Sequence, residues 1–293
     1  MYSMLQLVSR AFLLLGALAL FSLSPLRAEL GLPREAFGVW DREGGHAVND
    51  YPYTRGQSIS MNWADVHLSR YNYSWALVDV GLQTADANNQ LSGMSVGPVG
   101  GLGTGQSHPL WMSEANGGGV PFFGETYNAS TPTITPSTYT YGYYLDPDFK
   151  TYFREMVEAF AQRVRQEVAS NLQARVGFVR VNTGATGDEE PYENGSLVPV
   201  QYQITPTQWR EYRLWVFELY RKAFQEGPGP VIPLLFSGVE PVPGDANIEW
   251  NWILANVKGG FGIKHGGQLR GHQLSESESN VTVYKPLAVD SDN

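Results

Sequence analysis

Three consecutive acids, Asp188, Glu189 and Glu190, follow the apolar run Val176 to Asn182 after a short Thr- and Gly-rich link. Carboxylates this close cannot all ionise freely, so at least one holds its proton to a higher pH than a lone carboxyl would. Such a group can protonate a leaving oxygen and later take a proton back from water, which is general acid/base chemistry. The competing reading is a solvated acidic turn. Position separates the two, because acids just past the carboxyl end of a strand sit where a barrel of alternating strands and helices gathers its reactive groups. Flat rings fall at comparable places: Trp40, Trp63 and Trp111 lie at or after expected strand ends. Trp209 and Trp215 instead lie on a helical stripe and read as core. Asp41 and Arg42 after the first strand, and Lys264 and His265 after the last, stand where polar ligands to a bound molecule would be, although each alone is more often a surface residue.

The elements that must position these groups alternate in kind. Short apolar runs at Ala36 to Trp40, Ser58 to Asn62, Leu91 to Val96, Val176 to Asn182, Val231 to Phe236 and Phe261 to Lys264 read as six strands. Between them, Trp75, Val78, Leu82 and Ala85 form one helical face within Trp75 to Asn89. Asp146-Pro147 is an N-cap with proline at the first helical position, followed by Phe149, Phe153, Met156, Phe160, Val164 and Val168 at helical steps. Thr205-Pro-Thr-Gln208 is a capping box that opens a helix closed by Gly227, and Asn247 to Lys258 is a short helix. Gly97 to Tyr144 is a long Gly-, Ser-, Thr- and Pro-rich connection, of a length that is usually functional. Strict alternation means a parallel sheet with helices packed on it, either doubly wound or most of a (β/α)8 barrel.

Composition narrows the partners. The chain has 293 residues, 42% hydrophobic and 13% aromatic, no cysteine, and a net charge of −9 without a basic stripe. Disorder, nucleic acid and anionic membrane surfaces are thereby disfavoured as themes. Residues 1–28 carry an early arginine, an apolar run from Ala11 to Leu20 and the ending Pro25-Leu-Arg-Ala28, which reads as a secretory signal peptide. The run is shorter than the ~20 apolar residues that span a bilayer, so a soluble exported protein with no membrane contact after cleavage is expected. Sequons at Asn72, Asn128, Asn194 and Asn280 would accept glycans in a eukaryotic host.

Asn62-Trp63-Ala-Asp-Val66, Tyr73, Trp75 to Ala85, Pro109-Leu-Trp111 with Gly119-Val-Pro121, and Tyr144 to Phe153 occur in an order that resembles (β/α)8-barrel β-galactosidase-like glycoside hydrolases. The resemblance covers most of residues 36–272. It implies a TIM-barrel-like α/β fold, an oligo- or polysaccharide substrate, and Glu189 at the end of strand four as general acid/base. Asp188 would stand where the clan usually has an Asn that binds the sugar 2-hydroxyl, Glu190 competes for the acid/base role, and His67 stands where the clan often has Glu. Trp40, Trp63 and Trp111 would form sugar platforms, with Asp41, Arg42, Lys264 and His265 as ligands. The family's nucleophile, a Glu at the end of strand seven, has no clear match. Asn280 to Lys285 is a candidate seventh strand, Glu240, Glu276 and Glu278 are acids near other strand ends, and only 29 residues follow Lys264. The expected organisation is therefore a signal at 1–28, a barrel domain at 29–272 lacking its last one or two βα units, and a polar tail or start of a seventh unit at 273–293. Two readings stand: a C-terminally incomplete glycosidase, or a catalytically inactive carbohydrate-binding relative.

Other motifs are weaker. Gly93-Met-Ser95-Val-Gly97 matches a nucleophile elbow, but Pro98-Val-Gly-Gly cannot supply the helix that must follow the serine. Gly101-Leu-Gly-Thr-Gly105 opens a loop rather than a helix, so no dinucleotide site is expected. His46, His67, His108, His265 and His272 form no metal-spaced pair, and neither metal nor cofactor is expected, with Ca²⁺ on the acidic loops left open.

Overall fold

The computed structural model describes residues 39–41, 54–98, 108–124, 140–184, 191–192, 198–237, 239 and 247–264. The expected leader, tail and candidate seventh strand lie outside the described residues. Among those described, no helix is long and apolar enough to cross a membrane.

Six strands form the central sheet: β1 (Val39–Asp41), β2 (Thr54–Asn62), β3 (Leu91–Gly97), β4 (Val176–Val181), β5 (Leu234–Ser237) and β6 (Phe261–Lys264). They lie side by side in chain order, and every neighbouring pair is parallel. A doubly wound sheet reverses its strand order at a switch point. Here the order never reverses, which is the winding of a barrel, and the chain forms an α/β fold with a partial TIM-barrel sheet.

Helices α1 (Trp63–Val66), α2 (Ala76–Ala87), α3 (Pro147–Gln162), α4 (Ser170–Gln173), α5 (Pro206–Gln225) and α6 (Ile248–Asn256) occupy the connections. Their ends follow the capping signals. The Asp146 side chain accepts from the Asp148 and Phe149 amides, and Thr205 and Gln208 form the reciprocal capping box. Gly227 follows α5 with φ +68°, a left-handed conformation that suits glycine. On α2, Val78, Leu82 and Ala85 are fully buried, as are Phe149, Phe153, Met156 and Phe160 on α3.

The register sorts each strand into two faces. Gln57 donates to the Gly81 carbonyl of α2, Ile59 packs against Gly81, and Phe236 meets Phe217 of α5 edge-on at 4.9 Å. Met61, Met94, Val96, Val179, Val181 and Leu234 share this helix-facing side and are buried. The alternate residues point the other way.

The stretch 97–144 departs from a single irregular connection. It contains two short 3-10 turns, Leu110–Met112 and Glu114–Asn116, and an antiparallel pair, Phe122–Gly124 with Thr140–Gly142. A second small pair, His67–Ser69 with Asn72–Tyr73, follows α1, with Tyr71 at φ 65° in its turn. Strands this short fall below the window in which alternation is legible.

Candidate active site

The face of the sheet turned away from the helices is polar toward its carboxyl end. Register places Ser58, Ser60 and Asn62 of β2 beside Gly93, Ser95 and Gly97 of β3. The Ser95 hydroxyl donates to the Ser60 hydroxyl at 3.2 Å. Across the next strands, Arg180 Nε donates to Ser237 Oγ at 2.8 Å, which puts both on this face. Asn182, one residue beyond β4, is buried, and its Oδ1 has no partner among the described residues. Hydroxyls, an amide and a guanidinium thus line the surface. None of β2 to β6 contains an aspartate or glutamate.

Toward the amino end the same face is closed by aromatic packing. The Trp40 ring lies over Gly56 and Gly177, and meets Phe178 edge-on at 4.8 Å. Phe178 in turn lies against Gly93, where its ring fills the space a Cβ would need. Glycine is needed at these positions because the rings occupy the space of a side chain. Trp40 therefore floors the sheet instead of standing at its carboxyl rim.

The strand ends are tied from behind. Arg213 of α5, 2% exposed, donates to Thr183 Oγ1 at 3.1 Å and to the Ser237 carbonyl at 3.0 Å. It also holds Glu249 of α6 through contacts of 2.8 and 3.1 Å. One guanidinium thus fixes the carboxyl ends of β4 and β5 against two helices, using the fork geometry that lysine lacks.

The other expected site residues divide as follows. Trp63 is fully buried in the core, edge-on to Phe149 and Phe153, with its indole N–H donating to His67 Nδ1 at 3.0 Å. It exposes no ring face to a ligand, which corrects the expectation of a platform there. The reason is that α1 begins at Trp63 and turns the side chain under α3. Trp111 is half-buried: it donates to the His67 carbonyl at 3.0 Å and packs on His67 and Tyr152 at 4.8 and 4.9 Å. His67 itself is fully buried among Trp63, Tyr73 and Trp111, and desolvation lowers its pKa to about 4. Lys264 pairs with Ser237 in register and Asp41 with Gln57. Asp188, Glu189, Glu190, Arg42 and His265 lie outside the described residues. Ser95 stands inside β3 and not at a strand-to-helix turn, which removes the nucleophile-elbow geometry. Among the described residues no group of three metal-ligating side chains converges.

Sequence reasoning passed over Ser60, Arg180, Asn182, Ser237 and Arg213. Their signal lay in alternation: in Phe178-Val-Arg-Val-Asn182 the valines mark one face, and Phe178, Arg180 and Asn182 on the other grow polar toward the carboxyl end.

No family model matches the chain, and no curated protein matches it. Among solved structures, an exo-β-1,4-mannosidase, Op5Man5 from Opitutaceae bacterium strain TAV5, overlays with a TM-score of 0.36 at 12% identity. The overlay covers 62% of this chain and 31% of the mannosidase chain.

Proposed function

We propose that this chain acts on O-glycosidic bonds of an oligo- or polysaccharide, with Glu189 as general acid/base and Asp188 positioning the sugar or tuning the Glu189 carboxyl. The observation that carries the reading is the helix-free face of a sequentially wound parallel sheet, lined with hydroxyl, amide and guanidinium groups at its carboxyl end. A polyhydroxylated ligand needs that mixture of donors and acceptors. Chain connectivity runs from Asn182 on this face into the three acids within a few residues. Glu189 would protonate the departing glycosidic oxygen and then take a proton from water. Glu190 is the alternative acid, and residues 1–28 would direct export.

The second reading, an inactive carbohydrate-binding protein, is favoured by one observation: among the described strands, β2 to β6 offer no carboxylate to serve as nucleophile. Hydrolysis of a panel of aryl β-glycosides, including the galactoside and the mannoside, separates the two. Glu189→Gln is expected to lower the rate at least about 100-fold while sugar binding persists. An unchanged rate in that variant removes Glu189 from the chemistry. Calorimetric sugar binding by a wild-type chain that turns over none of the panel establishes the binding protein.

A further inference from the structure

On the outer side of the helical layer, α3 and α5 leave a groove of about 510 Å³ between them. Both helices run back from the carboxyl edge of the sheet toward its amino edge, and the groove occupies the middle and far turns, at residues 154–158 and 215–223. It is thus separated from the polar sheet face by the thickness of the helices.

Its lining combines an aromatic ring with charges of both signs. Trp215 is half-buried in the groove wall, and Arg154 and Glu158 are exposed one turn apart on α3. Several charged side chains on these helices are held in ion pairs: Glu155 with Arg70, Arg213 with Glu249, and Glu218 with Arg221 and Lys222. Arg154 and Glu158 form no ion pair among the described residues. Arg154 and Lys150 stand 6.0 and 5.8 Å from the centre of the Trp215 ring, at the outer limit of cation–π attraction, so neither is held tightly to it.

The chemistry that fits is specific in kind. Arg154 and Lys222 balance Glu158 and Glu218, so the groove carries no net charge to attract an ion. A carboxylate can accept from two adjacent hydroxyls, a guanidinium can donate to ring and hydroxyl oxygens, and an indole face packs on C–H groups. We infer that this groove is a second saccharide-binding site, one that holds a neutral polysaccharide on the outside of the helices while the sheet face engages another part of the same or a neighbouring chain. The choice of saccharide over another neutral polyol rests on the proposed function; the position and polarity of the site do not.

Affinity electrophoresis of the full chain through gels containing soluble β-1,4-mannan, β-1,4-galactan or hydroxyethylcellulose tests it. The expected result is retardation on at least one polymer, weakened fivefold or more in Kd by the exposed pair Arg154→Ala/Glu158→Ala. Trp215→Phe, which keeps a ring in the wall, should weaken it less. Hydrolysis of short aryl glycosides should stay at the wild-type rate in these variants, and Glu189→Gln should be retarded like wild type. Absence of retardation on all three polymers overturns the proposal, as does a double variant retarded like wild type. Retardation sensitive to the double variant in a protein that hydrolyses nothing would keep the groove and remove the glycosidase reading.

Discussion

His67 shows what burial does to a single titratable side chain. It accepts from the Trp63 indole through Nδ1, lies between the Tyr73 and Trp111 rings, and its Nε2 has no partner among the described residues. A charge placed there would lose its hydration with no carboxylate to compensate, and the pKa falls from 6.5 to about 4. The unfolded chain takes up a proton near pH 6.5 that the folded chain refuses until about pH 4. Stability from this group is therefore complete above pH 6.5 and declines as the pH drops through that window. His108, pushed down to about 3 by its own burial, adds a second decline reaching lower pH. Urea unfolding midpoints should fall between pH 7 and pH 4.5, and His67→Gln should flatten the decline, because glutamine can accept the Trp63 hydrogen bond but cannot titrate. An equal decline in that variant would assign the slope to other groups. The sequence marked His67 as a departure from a glycosidase pattern and Trp63 as a platform. Neither burial was legible, because Trp63 is covered by Phe149 and Phe153 of α3 and His67 by Trp111, contacts made between segments far apart in the chain.

At the scale of elements, the junction of α3 and α5 is decided by one arginine and an irregular turn. α3 ends in a π-helical turn, Arg163–Glu167, whose wider winding carries Arg165 inward to the end of α5. There Arg165, 3% exposed, donates to the carbonyls of Ala223, Glu226 and Pro230 at 2.6, 2.6 and 2.8 Å, with Gly227 and Gly229 further off. These are orphan carbonyls of a helix terminus and the turn after it, and a cation is the favoured partner at that end. Gly229, at φ +96°, lets the turn pass within van der Waals contact of the Arg165 backbone. Arg165→Met keeps most of the volume and leaves the carbonyls buried without a donor, so it should lower stability by about 3 kcal/mol. Chemical denaturation measures this, and a loss below about 1 kcal/mol would show that water replaces the guanidinium. The two helices were legible from their caps and periodicity, since Asp146, Thr205 and Gln208 act through neighbours two or three residues away. The π turn was not, because Val164 and Val168 keep the helical spacing through it and the pattern shows no break.

For the molecule as a whole, the winding of the sheet and the position of its polar face follow from one division of labour. Strand residues on the helix side are apolar apart from Gln57, which is tied to the Gly81 carbonyl, and those on the other side pass from Trp40 and Phe178 at the amino end to Ser60, Ser95, Arg180 and Ser237 at the carboxyl end. The strands and their alternation with helices were readable from apolar runs. Their neighbour order was not, since parallel pairing is settled by distant segments and two windings shared one pattern. What holds the polar end in shape is the Arg213–Glu249 pair, which joins β4, β5, α5 and α6 at the point where the chain leaves β4 for Asp188 and Glu189. Glutamine at 249 can still accept from the guanidinium, whereas Arg213→Met leaves Glu249 without its partner and also abandons Thr183 and the Ser237 carbonyl, so Glu249→Gln should be tolerated better. We expect Arg213→Met to cost about 3–5 kcal/mol and Glu249→Gln about 1–2 kcal/mol. If the pair serves the site as well as the fold, Glu249→Gln will lower kcat on aryl glycosides at a temperature where the variant remains fully folded by circular dichroism. Unchanged kcat alongside the stability loss would confine Arg213 and Glu249 to holding the sheet together and leave the chain after β4 to be ordered by its own contacts.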